Sequence, residues 1–132
     1  MQRMLRNSAI LLGMAALTLS SAALAADSAK FKIEKKIPIK GTGRWDYVTV
    51  DPDAHRVYLA HATHVTVLDT ESGAVVGDIP DTPGVHGVAV ASDLGIGFVS
   101  VGGAAKVLVF DLKTLKVQSQ IEVGQNPDSI LY

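Results

Sequence analysis

The segment Trp45-Asp46-Tyr47-Val48-Thr49-Val50-Asp51-Pro52-Asp53 is echoed by Val85-His86-Gly87-Val88-Ala89-Val90-Ala91-Ser92-Asp93, and Pro127-Asp128-Ser129-Ile130-Leu131-Tyr132 begins the pattern again. Val48, Val50 and Asp53 match Val88, Val90 and Asp93 at a shift of 40. Val65, Val67, Asp69, Val75 and Ile79 match Val107, Val109, Asp111, Val117 and Ile121 at a shift of 42. The two additional residues therefore enter near Gly102-Gly103-Ala104-Ala105, where a loop is expected. Each copy divides into four short runs of alternating apolar and polar residues. The first copy gives Tyr47–Val50, Arg56–Ala60, Val65–Asp69 and Ala74–Ile79; the second gives Gly87–Ala91, Ile96–Val101, Lys106–Asp111 and Lys116–Val123. Turn chemistry separates them, including Asp51-Pro52-Asp53, Glu71-Ser72-Gly73 and Thr82-Pro83-Gly84. A period of about 40 residues made only of strands predicts an all-β β-propeller of four-stranded blades.

In this register blade one spans 47–79, blade two spans 87–123, and 129–132 starts blade three. Phe31–Ile39 reads as a lone strand. Ile39 precedes Val48 by the same interval as Ile79 precedes Val88 and Ile121 precedes Ile130, so the segment holds the last-strand position of a preceding blade. Such a closing strand hides sheet edges that would otherwise pair with neighbours. A closed propeller needs at least about four blades of roughly 40 residues. Residues 26–132 are therefore expected to be part of a longer propeller that is monomeric when complete. Several short chains assembling into one ring is the alternative.

The first residues read as an address. Arg3 and Arg6 precede the uncharged apolar run Ala9–Leu19, and Ala23-Leu24-Ala25 offers small residues for cleavage, giving a signal peptide over 1–25. The run is short for a bilayer span, which takes about 20 residues. A retained anchor is the alternative; no later segment has the length and apolarity of a membrane helix. The expected location is periplasmic or secreted. With Cys 0, disulfides and thiol chemistry are excluded.

Charge is unevenly spread. Of 12 basic residues only Arg56, Lys106, Lys113 and Lys116 follow Trp45, whereas of 13 acids only Asp27 and Glu34 precede it. The acidic body argues against a nucleic-acid surface. The basic stretch from Lys30 to Arg44 alternates with Phe31, Ile33, Ile37 and Ile39 and reads as a strand with a wet lysine face.

Gly43 to Pro52, Val65 to Asp69, Gly77 to Val90, Val107 to Leu115 and Val123 to Asp128 resemble, in order and spacing, the opening blades of bacterial YncE-like proteins, which are exported and built from YVTN-type repeats. The resemblance implies a seven-bladed ring in a complete protein. It also implies an association with single-stranded DNA binding, because that activity has been linked to the family.

Blade connectivity gives the polar residues an address. The turn leading into an innermost strand and the turn between the second and third strands open on one face. Trp45, Asp46, His61, His64, His86 and Asp128 are thus expected together there, with Asp46, His86 and Asp128 around the channel mouth. His55 belongs to the opposite face. Imidazoles and carboxylates are natural metal ligands, so His61, His64 and His86 are the metal candidates. The alternative is a wet channel rim in which these groups bond turn amides. His86 has the intrinsic acidity of a general base, yet no nucleophile pattern accompanies it and no catalytic residue is assigned. Gly102-Gly103 lacks the spacing and following helix of a phosphate loop, and the sequence leaves the cofactor unknown. The reading is a binding or scaffold protein for a protein or small-molecule partner. The alternatives are a lactonase-like hydrolase or a quinone- or metal-dependent oxidoreductase, since related propellers host such sites, and single-stranded DNA binding.

Overall fold

The computed structural model describes residues 31–132, so the leader expected over 1–25 lies outside the described residues. Packing divides the chain into Met1–Glu34 and Lys35–Tyr132. In the first unit Lys32 and Glu34 form an exposed ion pair at 2.9 Å. The second unit is all-β. Strands β1 (Trp45–Asp51), β2 (Arg56–His61), β3 (His64–Asp69) and β4 (Val75–Ile79) form one four-stranded sheet. Strands β5 (Val85–Ala91), β6 (Ile96–Val101), β7 (Lys106–Asp111) and β8 (Val117–Glu122) form a second. Both are antiparallel and run strand beside strand in chain order, the winding of a propeller blade. The strand bounds lie within two residues of those read from the alternation. Among the described residues no helix is long and apolar enough to cross a membrane.

The repeat is visible down to single hydrogen bonds. Ala62 N–H donates to Arg44 O at 2.9 Å, and Gly102 N–H donates to Gly84 O at 2.9 Å. At the opposite end Thr70 N–H donates to His55 O at 2.9 Å, and Leu112 N–H donates to Gly95 O at 3.1 Å. Asp69 Oδ1 accepts from the Ser72 amide (2.8 Å) and hydroxyl (2.6 Å); Asp111 Oδ1 accepts from the Thr114 amide (2.7 Å) and hydroxyl (2.8 Å). These bonds favour the ionised carboxylates and hold both below the ordinary aspartate range. In the first-strand turn Asp51, not Asp53, does the bonding, accepting from Ala54 N–H at 3.1 Å. The copies differ where the register predicts. Ala62 and Thr63 link β2 to β3, whereas the residues 102–105 link β6 to β7 through a single 3-10 turn.

The core lies between the two sheets. Tyr58, Ala60, Val65, Val67 and Ile79 of the first sheet pack with Val88, Val99, Leu108 and Phe110 of the second. Tyr58 and Phe110 are fully buried, with ring centroids 5.8 Å apart at a tilted 53°. Burying the Phe110 ring contributes about 1.5–3 kcal/mol. Gly97 makes the room: a Cβ there would lie 2.3 Å from Phe110 Cζ. Thr49 Oγ1 donates to Val88 O at 2.7 Å, tying β1 to β5, and Arg56 Nη1 donates to Leu112 O across the same seam.

Two expected strands are not strands here. Phe31–Ile39 has no ladder. A strand needs a partner, and the described residues supply none; Lys35 Nζ instead donates to Ser72 O at 2.7 Å. Ser129–Tyr132 likewise has no ladder. The preceding Asp128 is fastened beside β5 through its main chain, whose carbonyl oxygen accepts from Ser100 Oγ at 2.5 Å.

Candidate functional site

The polar residues of interest sit where both sheets break register. Pairing of β1 with β2 slips between Trp45 and Val48, and pairing of β5 with β6 slips between Val85 and Val88. A bulge re-aims the side chains inside it. Asp46, with Tyr47, lies inside the first bulge and His86 inside the second, and Asp46 and His86 meet: His86 Nδ1 lies 2.9 Å from Asp46 Oδ2. His86 Nε2 lies 3.3 Å from Oδ1 of Asn126, a residue at φ 50 in the segment leading into the third copy. Two successive copies and the linker into the third thus contribute one residue each to a single hydrogen-bonded chain.

Two acceptors face the two ring nitrogens, so the imidazolium, which donates from both, satisfies them best. The bond to Asp46 raises the His86 pKa above its ordinary value, opposed by burial and reinforced by Asn126 and by the Asp46 and Asp128 charges. The side chains border a cavity of about 350 Å³ lined by Gly43, Arg44, Asp46, Ala62, Gly84, Val85 and His86. Arg44 is exposed and has no carboxylate partner among the described residues. The cavity therefore offers a guanidinium, an imidazole and a carboxylate to a polar ligand, and its lining includes no hydroxyl or thiol.

The other candidates fall differently. His61 is fully buried instead of opening on the face, and neither ring nitrogen has a partner. Its ring stacks on Trp45 at 3.7 Å and 9°, with His64 tilted against it at 4.7 Å. Gly41 lies against its edge: a Cβ there would stand 2.3 Å from His61 Cε1. Aromatic stacking and the glycine contact draw His61 inward, which turn position alone does not reveal. Trp45 uses one face on His61 and remains 46% exposed. His64 Nε2 lies 3.8 Å from Asp78 Oδ1 and borders a separate recess of about 730 Å³ between the blades. Asp128 reaches the sheet through its carbonyl oxygen, so Asn126 is the third member of the mouth chain. Among the described residues no three His, Cys, Asp or Glu side chains gather as metal ligands. His55 sits on the opposite end, 3.6 Å from Glu71.

Asn126, Arg44 and Gly102 escape the sequence reading. Gly102 matters because a Cβ there would lie 2.7 Å from both His86 Nε2 and Asn126 Oδ1. The signals available were its place in the inserted loop and the Asn-Pro pair ahead of the third copy.

No protein-family model and no curated protein sequence matches the chain. Solved structures do. The chain is similar to hydrazine synthase of Kuenenia stuttgartiensis, with a TM-score of 0.64 and 20% identity over 76% of this chain and 29% of that one. It is similar to apo AztD from Citrobacter koseri, with a TM-score of 0.58 and 22% identity over 67% of this chain and 26% of that one. The β-propeller domain of Cps50 (Swd1) from Myceliophteria thermophila matches with a TM-score of 0.51 and 12% identity, over 63% of this chain and 27% of that domain's chain. The chain is a run of β-propeller blades. It spans between 26% and 29% of these three longer chains, and at such identities the likeness is one of fold.

Proposed function

We propose that these blades belong to an exported, YncE-like propeller protein whose mouth-end surface binds a small polar ligand or a partner without transforming it. The observation that carries this reading is the Asp46–His86–Asn126 chain, to which two successive copies and the linker into the third contribute. Bulges aim two of its members out of regular sheet, where side chains fixed by hydrogen bonds present a preformed polar surface. The Arg3/Arg6 start and apolar run of the leader support export and a periplasmic or secreted location. The resemblance of the repeat segments supports the YncE-like assignment and a seven-bladed ring.

The test is a titration of the protein with a panel of small carboxylates, amines and neutral sugars, and with an oligothymidylate as the nucleic-acid arm. The readout is the NMR shift of the His86 ring protons. Binding at the mouth predicts that at least one small molecule moves these signals and that Asp46→Asn abolishes the response. A panel that leaves them unmoved, or a response untouched by Asp46→Asn, would overturn the assignment. A response to the oligonucleotide alone would replace it with nucleic-acid binding.

A further inference from the structure

One contact occurs twice in this molecule, with the large and small partners exchanged. At the seam between the blades, Leu115 projects from the turn between β7 and β8 onto β4, where Gly77 receives it. A Cβ on Gly77 would stand 2.1 Å from Leu115 Cδ1. Leu115 is buried even though its backbone is left-handed, at φ 60. In blade one the corresponding turn position is Gly73, four residues after Asp69 as Leu115 is four after Asp111, and it too is left-handed at φ 76. Against Gly73 lies Ile37: a Cβ on the glycine would stand 2.9 Å from Ile37 Cδ1. Ile37 stands nine residues before Asp46, as Gly77 stands nine before His86.

The same two repeat positions therefore meet in both places. Toward blade two the strand supplies the hollow and the turn supplies the knob. Toward blade one the strand supplies the knob and the turn supplies the hollow. Lys35 adds a second fastening, its Nζ donating to Ser72 O in that turn. Two knobs at one seam would collide and two hollows would leave a void, and both faults destabilise packed contacts.

We propose that the inverted Ile37–Gly73 pair keys Lys35–Ile39, the last-strand segment of a preceding blade, to the seam at blade one and not to the seam at Leu115. The partner the segment fits is a three-stranded antiparallel sheet with an open outer edge, which would supply the ladder the segment lacks. This inference rests on packing alone and is independent of whether the mouth binds a ligand.

A swap cycle on the protein tests it. Trypsin cleavage after Lys35 and Lys36 reports undocking of the segment. Gly73→Leu makes a knob meet a knob, and Ile37→Gly makes a hollow meet a hollow. Gly73→Leu is expected to speed cleavage about tenfold, the scale set by overpacking; Ile37 keeps 36% of its surface exposed, so Ile37→Gly is expected to speed it less, about threefold. The double variant, which reproduces the Gly77–Leu115 arrangement, is expected to return most of the protection. Leu115 shows that leucine is compatible with this turn. Gly73→Asn, which accepts the left-handed backbone with a smaller side chain, separates strain from size and is expected to speed cleavage less than Gly73→Leu. Additive damage in the double variant, or single variants that leave cleavage unchanged, would overturn the proposal.

Discussion

His86 is held between a carboxylate and an amide oxygen, and this gives the seam at the mouth a pH signature. Its folded pKa is raised, chiefly by the bond to Asp46. The resulting stabilisation is fully present below the unfolded value, about 6.5, and is lost as pH rises through the folded pKa. The difference in melting temperature between the protein and its His86→Gln variant should therefore be largest in mild acid and shrink toward alkaline pH. A difference that grows with pH would show that the ring is neutral in the folded state. Because the pair is partly exposed, the effect should also weaken with salt. At this scale the repeat register made Asp46 and His86 legible, since both occupy the same place in successive copies. It did not reveal Asn126 or the inward turn of His61. Those follow from a left-handed residue and from ring stacking, neither of which leaves a periodic mark in the sequence.

Between elements, the decisive pairing is Gly97 with Phe110. The first copy has Val57 where the second has Gly97, and only the second has a phenylalanine at the facing β7 position, Leu68 being its counterpart in β3. Gly97→Ala places a methyl within 2.3 Å of the Phe110 ring and should cost about 1–3 kcal/mol by overpacking. Phe110→Ala should cost about 3–5 kcal/mol by leaving a cavity. Denaturant unfolding measures both, and a double variant less damaged than the sum would show that the two act as one contact. Ser100→Ala tests a different joint. It leaves the buried Gly87 amide without its acceptor and releases the Asp128 carbonyl, so exchange of the Gly87 amide should accelerate. The strands themselves were readable because half-buried sheets alternate. The ladderless segment 31–39 reads as a strand on the same alternation and 129–132 on the repeat register, but such patterns state only where a strand would lie and which face it would bury. Whether a ladder forms depends on a neighbour outside the segment.

For the molecule as a whole, the balance of covered and open faces matters more than any one contact. Val48 and Val50 of β1 and Val75 and Val76 of β4 are exposed, whereas Val88, the counterpart of Val48, is buried against the first blade. Sheet faces of this kind invite association. Sedimentation velocity should show concentration-dependent self-association of the protein, reduced in a Val48→Lys/Val50→Lys variant whose side chains place charge on the open face. An unchanged, monomeric profile for both would show that this face is tolerated in water.

The 3-10 turn at Gly102–Ala104 gives the mouth a wall that blade one does not have. Its backbone rests on Pro83, with Gly103 N–H donating to Pro83 O at 3.0 Å, and its first glycine backs the His86 ring. The sheets on either side keep their pairing. A change in the length of this one connection would thus reshape the surface beside His86 while leaving the strand pairing beneath it in place.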